Sequence, residues 1–173
     1  MKKLTFLIIL FIGIIISAQV PRFAKYSIAE TGTQFYFPEE PKWQKSISED
    51  KSEIYITTSV IGDVEYGLIA VKLAEEAVKS NENPEALMGN YVNYLNDNVF
   101  KFTKKTDFGK GHTLENQPDV KGILEYAETE DGTKYTVKSW TNKYVIAVMY
   151  VGSKKEVNIN FQEIYFKGIR FKQ

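Results

Sequence analysis

The sequence contains no cysteine and only one histidine among its 173 residues. Without thiols the chain forms no disulfide, holds no metal through thiolates and carries no lipid on an N-terminal cysteine. The single histidine, His112, excludes a metal site built on a pair of histidines. Neither an HExxH helix nor a GxSxG nucleophile turn occurs, so no residue is predicted to be catalytic. We therefore expect neither a metal nor another cofactor.

Positive charge is not in excess either. The 22 basic residues equal the 22 acidic residues in number, and they form no basic stripe. Proteins that bind nucleic acids through the phosphate backbone concentrate lysine and arginine on one face. The sequence therefore predicts no nucleic-acid partner.

One long apolar run occurs, near the N-terminus. Two lysines precede it, it covers residues 4–16, and the small residues Ser17 and Ala18 follow. This is the layout of a secretory signal peptide. The run is short for a hydrocarbon core of about 30 Å, and an uncleaved N-terminal anchor is the alternative. We expect cleavage after Ala18, a single domain over residues 19–173 without a stable membrane span, and export to the bacterial periplasm or out of the cell.

Short strands account for much of the remaining chain. Alternating runs over residues 51–61 and 64–73 flank Gly62-Asp63 and predict a hairpin with a two-residue turn. The segments Gly67–Val71 and Tyr144–Val151 are continuously apolar. Such runs are typical of strands buried on both faces, so helices are expected above and below the sheet.

Two segments have the pattern of amphipathic helices. Asn83 is a predicted N-cap with Pro84 at the first helical position, and an apolar stripe follows at every fourth residue: Leu87, Tyr91, Leu95 and Val99. The second helix is predicted to begin with a capping box from Ser153 to Glu156 and to end at Gly168. Its predicted apolar face comprises Val157, Phe161, Ile164 and Tyr165.

A second hairpin is predicted at Asp131-Gly132, which favours a two-residue loop. In that register Glu125 lies opposite Lys138, and the two form a cross-strand ion pair. Trp140 lies on the same face as Lys138. We expect a helix to bury Trp140; if none does, Trp140 forms part of an exposed binding surface.

Several segments, taken in chain order, form a characteristic set. An aromatic strand leads into FPEEP, a strand contains YGLIAV, a helix follows ENPEAL, a hairpin reads GILEYAETEDGTKYTVKSW, and the chain closes with FKGIRF. The set resembles the PsbP-like α/β/α sandwich proteins and similar small secreted bacterial domains, over most of residues 23–172. The resemblance implies an α+β fold, an antiparallel β-sheet with helices packed on both faces. No metal-binding position of the plant PsbP proteins can be matched.

These patterns favour an exported, non-catalytic domain that binds a protein or another component of the cell envelope. The candidate binding residues are Trp140, Lys138 and His112. Two alternatives remain at this point: a carrier that holds a small apolar ligand between sheet and helix, and a hydrolase that uses paired carboxylates.

Overall fold

The computed structural model describes residues 20–107 and 109–172. The predicted signal peptide and its cleavage site lie outside the described residues. Within them, no helix has both the length and the apolar character needed to cross a membrane.

The described residues form ten β-strands and three α-helices. The strands are β1 (Ala24–Ser27), β2 (Gln34–Phe37), β3 (Gln44–Ile47), β4 (Glu53–Ile61), β5 (Val64–Lys72), β6 (Lys104–Asp107), β7 (His112–Leu114), β8 (Gln117–Glu128), β9 (Lys134–Thr141) and β10 (Val145–Ser153). The helices are α1 (Glu75–Ser80), α2 (Pro84–Leu95) and α3 (Ile159–Lys167). A π-helical turn, Asn96–Phe100, continues from α2.

Eight of these strands form one antiparallel sheet. Its order is β3-β4-β5-β10-β9-β8-β6, and β7 pairs with β8. β1 and β2 form a separate two-stranded ribbon. β10 lies at the centre between β5 and β9, and all nine of its residues are buried. The predicted α+β class with an antiparallel sheet is confirmed.

Side chains along β10 alternate between two apolar clusters, because successive residues of a strand point to opposite sides. The first cluster contains Val145, Ala147, Met149 and Val151, together with Tyr165 and Phe166 of α3. The second contains Ile146, Val148 and Tyr150, together with Met88, Val92 and Leu95 of α2. Each cluster thus joins the central strand to a different helix.

Helix α2 begins as predicted. The Ala86 backbone N–H donates to Asn83 Oδ1 at 3.0 Å, and Pro84 is the first helical residue. Leu95 is 3% exposed, but Val99, predicted on the same stripe, is 55% exposed. The prediction is wrong at Val99 because the α-helical period ends at Leu95, and the π-helical turn that follows rotates later side chains away from the sheet.

Helix α3 ends at Lys167, directly before Gly168, as predicted, but it begins later. Ser153 is the last residue of β10 and pairs with Lys134, so the sheet uses the residue predicted to cap the helix. The cap is Asn158, whose Oδ1 accepts from the Asn160 N–H at 2.9 Å. Because α3 begins later than predicted, its apolar face is rotated relative to the predicted one.

The rotation changes which side chains of α3 are buried. Ile164, predicted on the apolar face, is 46% exposed, whereas Phe166 is 8% exposed.

The two hairpins differ in how well their turns were predicted. Ile61 pairs with Val64 across Gly62-Asp63, which confirms the first two-residue turn. At the second hairpin, the Thr129 N–H donates to the Thr133 carbonyl at 3.0 Å, so the loop contains three residues, 130–132. Gly132 has a φ of +82°, the left-handed conformation that closes such loops.

The longer loop shifts the register of β8 against β9. Glu125 lies opposite Val137, and Leu124 lies opposite Lys138. Directly opposite residues of an antiparallel pair share a face, so Glu125 and Lys138 point to opposite sides of the sheet. The predicted Glu125–Lys138 pair is therefore wrong.

Candidate binding pocket around Lys138

The structure brings His112, Lys138 and Trp140 together in one pocket of about 560 Å³. The sheet explains this meeting, because Gly122 of β8 pairs with His112 of β7 on one side and with Trp140 of β9 on the other. A Cβ at Gly122 would lie 2.5 Å from the Trp140 ring, so only glycine lets the indole lie this close to β8. Helix α3 forms the opposite wall. We call this space the Lys138 pocket.

Trp140 forms the buried wall of the Lys138 pocket. It is 2% exposed, and its Nε1–H donates to the Phe166 carbonyl of α3 at 3.0 Å. A buried indole needs such an acceptor for its N–H. The predicted burial of Trp140 under a helix is confirmed.

Lys138 is the unusual residue of the pocket. Only 7% of the residue is exposed, and its Nζ lies 4.6 Å from the centroid of the Trp140 ring. Burial, and to a smaller extent the positive charge of Lys167, lower the pKa of Lys138 to about 8. The lysine makes no ion pair with any residue in the described ranges.

The partial desolvation of an unpaired ammonium costs free energy, because the charge loses water without gaining a carboxylate. The contact with the indole face offsets part of this cost. Strongly perturbed lysines in clefts are typical of functional sites.

Glu125, the acid predicted to pair with Lys138, interacts with other residues instead. Glu125 is 4% exposed and accepts from Asn96 Nδ2 at 3.1 Å. It also lies 3.4 Å from Lys105 Nζ. Its negative charge is therefore used to hold β6 and the end of α2, on the side of the sheet away from Lys138.

The other charged groups around Lys138 leave the pocket with more positive than negative charge. Lys167 pairs with Glu163 at 2.8 Å, and Arg170 Nη1 donates to the Lys167 carbonyl at 2.6 Å. Glu115 is the second carboxylate in the lining. Three cations thus face two carboxylates, one of which is already paired.

Burial, and the charge of Lys138, lower the pKa of His112 below 6.5. His112 is therefore mainly neutral at pH 7. Its side chain makes no hydrogen bond with another described residue.

Nothing in the described ranges resembles a metal centre. No three histidine or carboxylate side chains there are grouped so that they could hold an ion. What the Lys138 pocket can do is bind an anionic group: the Lys138 ammonium provides the charge, and the indole and Phe166 provide apolar surface beside it.

Comparison with known proteins shows a similarity of fold and no similarity of sequence. No protein-family model matches the sequence, and no curated protein matches it. The structure is similar to the solution structure of cyanobacterial PsbP from Synechocystis sp. PCC 6803, with a TM-score of 0.53 and 11% sequence identity. The match covers 90% of this chain and 96% of that chain.

The fold is PsbP-like. The structural likeness confirms the resemblance inferred from the sequence. At 11% identity it assigns no residue of the Lys138 pocket. The sequence did not predict the α3 residues that line the pocket in this PsbP-like fold, among them Phe166 and Lys167. The reason is that the predicted helix began too early and presented a different face.

Proposed function

We propose that this chain is an exported, non-catalytic domain that binds a protein or another envelope component through the Lys138 pocket. The observation that carries the proposal is Lys138, a largely buried lysine whose Nζ lies over the Trp140 ring and has no carboxylate partner among the described residues. An anionic group on the bound partner supplies the missing counter-charge. Trp140 and Phe166 contact the apolar part of the same partner.

The proposal includes a three-layer arrangement, with α2 on one face of the sheet and α3 on the other. The alternation along β10 supports it, since neighbouring residues of that strand join clusters that contain different helices. The layer formed by α3 closes one side of the Lys138 pocket.

Export rests on the arrangement of lysines, apolar run and small residues at the N-terminus. The intact mass of protein recovered from the periplasm or the medium is expected to correspond to a chain that begins at Gln19. Recovery of only full-length, membrane-bound protein would contradict export.

A pair of matched cross-linking probes tests binding at the Lys138 pocket. Ile159 lines the pocket and is 64% exposed, whereas Val60 on β4 is outside its lining and 65% exposed. A photoreactive amino acid placed at each position in the native cell should give a partner adduct from position 159 and little from position 60. The adduct should disappear when Lys138→Met is added. Equal labelling from both positions, or labelling that does not depend on Lys138, would refute the proposal.

A further inference from the structure

A second pocket, of about 1180 Å³, lies between α1, α2 and the sheet. Its apolar lining includes residues of the sheet and of α2: Ile54, Val71, Ile146, Leu87 and Tyr91. The exposed side chains of Ile47 and Tyr94 also line it. The first five residues belong to the second apolar cluster, whereas Trp140 belongs to the first. We call this space the α1 pocket.

Helix α1 borders the α1 pocket without being part of the core. None of its residues is buried, and its N-cap, Ala74, makes no side-chain capping bond. Ala77 lies in the pocket lining and Glu75 does not. A larger side chain at position 77 can therefore fill the pocket without displacing a buried residue.

One buried hydrogen-bond donor in the lining of the α1 pocket has no protein acceptor. Asn81 Nδ2 is buried and has no partner among the described residues. The Asn81 Oδ1 accepts from the Asn83 N–H at 3.2 Å, which leaves Nδ2 as the available end of the amide. A buried donor without an acceptor is costly, so an acceptor that reaches Asn81 Nδ2 stabilises the protein.

The charges of the α1 pocket exclude an anion. Its charged lining residues are Glu49, Asp50 and Glu76, and no lysine, arginine or histidine lines it. A hydrogen bond from the Ser48 hydroxyl is the main cause of the lowered pKa of Asp50, so this carboxylate is ionised at neutral pH. A carboxylate or phosphate entering the pocket would meet like charge and no cation.

We propose that the α1 pocket binds a small, neutral, apolar molecule that carries an oxygen acceptor, such as a ketone or an ester. The apolar part packs between α2 and the strands, and the Asn81 amide turns toward the ligand so that the acceptor takes the N–H of Nδ2. This site is separate from the Lys138 pocket, so the inference goes beyond the proposed function and does not depend on it.

Calorimetric titration of the mature Lys138→Met chain tests the inference without interference from the cationic pocket. The probes are 2-octanone, which is a neutral acceptor, and octanoate, which has the same chain length and is anionic. Saturable binding of 2-octanone is expected, with octanoate weaker by about tenfold or more, because the charge adds repulsion and loses hydration. No binding of 2-octanone, or equal binding of both probes, would overturn the proposal.

Two matched pairs of variants locate the binding site. Ala77→Trp should obstruct the α1 pocket and weaken 2-octanone binding, whereas Glu75→Trp on the same helix should leave it unchanged. Asn81→Asp keeps the acceptor for the Asn83 N–H and removes the donor, so it should weaken binding by about tenfold. Asn160→Asp adds the same charge on α3 and should have no effect.

Thermal melting of each variant confirms that it is folded. Unchanged binding in folded Ala77→Trp would overturn the location. Equal affinity of Asn81→Asp and Asn160→Asp would overturn the assigned acceptor contact.

Discussion

The Lys138 pocket and the α1 pocket differ in charge although strands of the same sheet line both. Lysine and arginine outnumber carboxylates around Lys138, whereas the charged residues that line the α1 pocket are all acidic. Each contains a polar donor without a protein acceptor: Nζ of the largely buried Lys138 in one, and the buried Asn81 Nδ2 in the other. A chain with equal numbers of acidic and basic residues can therefore present two sites with opposite selectivity. The net charge of the whole chain does not show the local charge of either pocket.

The largest effect is expected for Trp140→Ala, which removes the buried wall of the Lys138 pocket. The loss of the indole and of its hydrogen bond to Phe166 should reduce the free energy of unfolding by about 3–5 kcal/mol. Urea denaturation measures the change. If the domain remains folded, anion binding should be lost while 2-octanone binding is kept. A loss below about 1 kcal/mol would mean that α3 does not depend on this contact.

Leu95→Ala makes the corresponding change beneath α2, on the side of the α1 pocket. Leu95 is 3% exposed within the second cluster, so the expected loss is about 2–5 kcal/mol in the same assay. Val99→Ala is the control, because Val99 is 55% exposed and should change stability little. Similar losses from the two variants would contradict the observed end of the α2 stripe.

Lys138→Met should stabilise the protein while removing anion binding. The methionine has similar length and no charge to desolvate, and the expected gain is about 1–3 kcal/mol at pH 7, reduced by the lost contact with the indole. Urea denaturation at a series of pH values measures it. Lys134→Met, at an exposed position on the same strand, is the control and should give no gain.

The pH dependence of this gain has a defined sign. The pKa of Lys138 is lowered from 10.5 to about 8, so below pH 8 the lysine is charged in both the folded and the unfolded chain. Its burial then costs the folded state in full. Between pH 8 and 10.5 the folded lysine loses its proton first, and the advantage of methionine should decline. A gain that is constant with pH would contradict the assignment.

The smallest effects are expected at two exposed ion pairs, one beside each pocket. Glu163→Gln breaks the pair with Lys167, and Glu75→Gln breaks the pair with Lys79 on α1. Each pair is of the i,i+4 type, so each change should cost only about 0.3–0.5 kcal/mol in thermal denaturation. Glu163→Gln should also strengthen anion binding, because Lys167 is released beside Lys138. Glu75→Gln should not. Equal anion affinity in both variants would contradict the role of local charge.

The sequence predicted much of the secondary structure, and it named three residues of the Lys138 pocket. It did not predict how these residues contact one another. The buried strands, the cap at Asn83, the first hairpin and the burial of Trp140 follow from periodicity and turn chemistry. These are local signals that tertiary packing reinforces. The candidate residues His112, Lys138 and Trp140 lie together, but their grouping depends on strand pairing between distant parts of the chain.

The error at the second hairpin explains why the Lys138 pocket was missed. An Asp-Gly pair occurs in two-residue and three-residue loops, and here Thr129 and Thr133 both bond to the Asp131 carboxylate. Those bonds favour the longer loop. The one-residue shift places Glu125 on the other side of the sheet, so an expected surface ion pair becomes an unpaired buried lysine. A sequence pattern cannot show that Lys138 lacks a carboxylate partner, because this depends on the register of β8 against β9.

The most direct test of the central claim, that the Lys138 pocket binds an anion, is the emission of Trp140. In a Trp43→Phe background Trp140 is the sole tryptophan, and its ring lies 4.6 Å from Lys138 Nζ. Titration with octanoate at pH 7 should change the emission saturably, and the affinity should fall as the pH rises above about 8. Octylamine should have no such effect, and Lys138→Met should abolish the response to octanoate. An octanoate response that is the same in the Lys138→Met variant, or the absence of any response in the protein that keeps Lys138, would contradict the account.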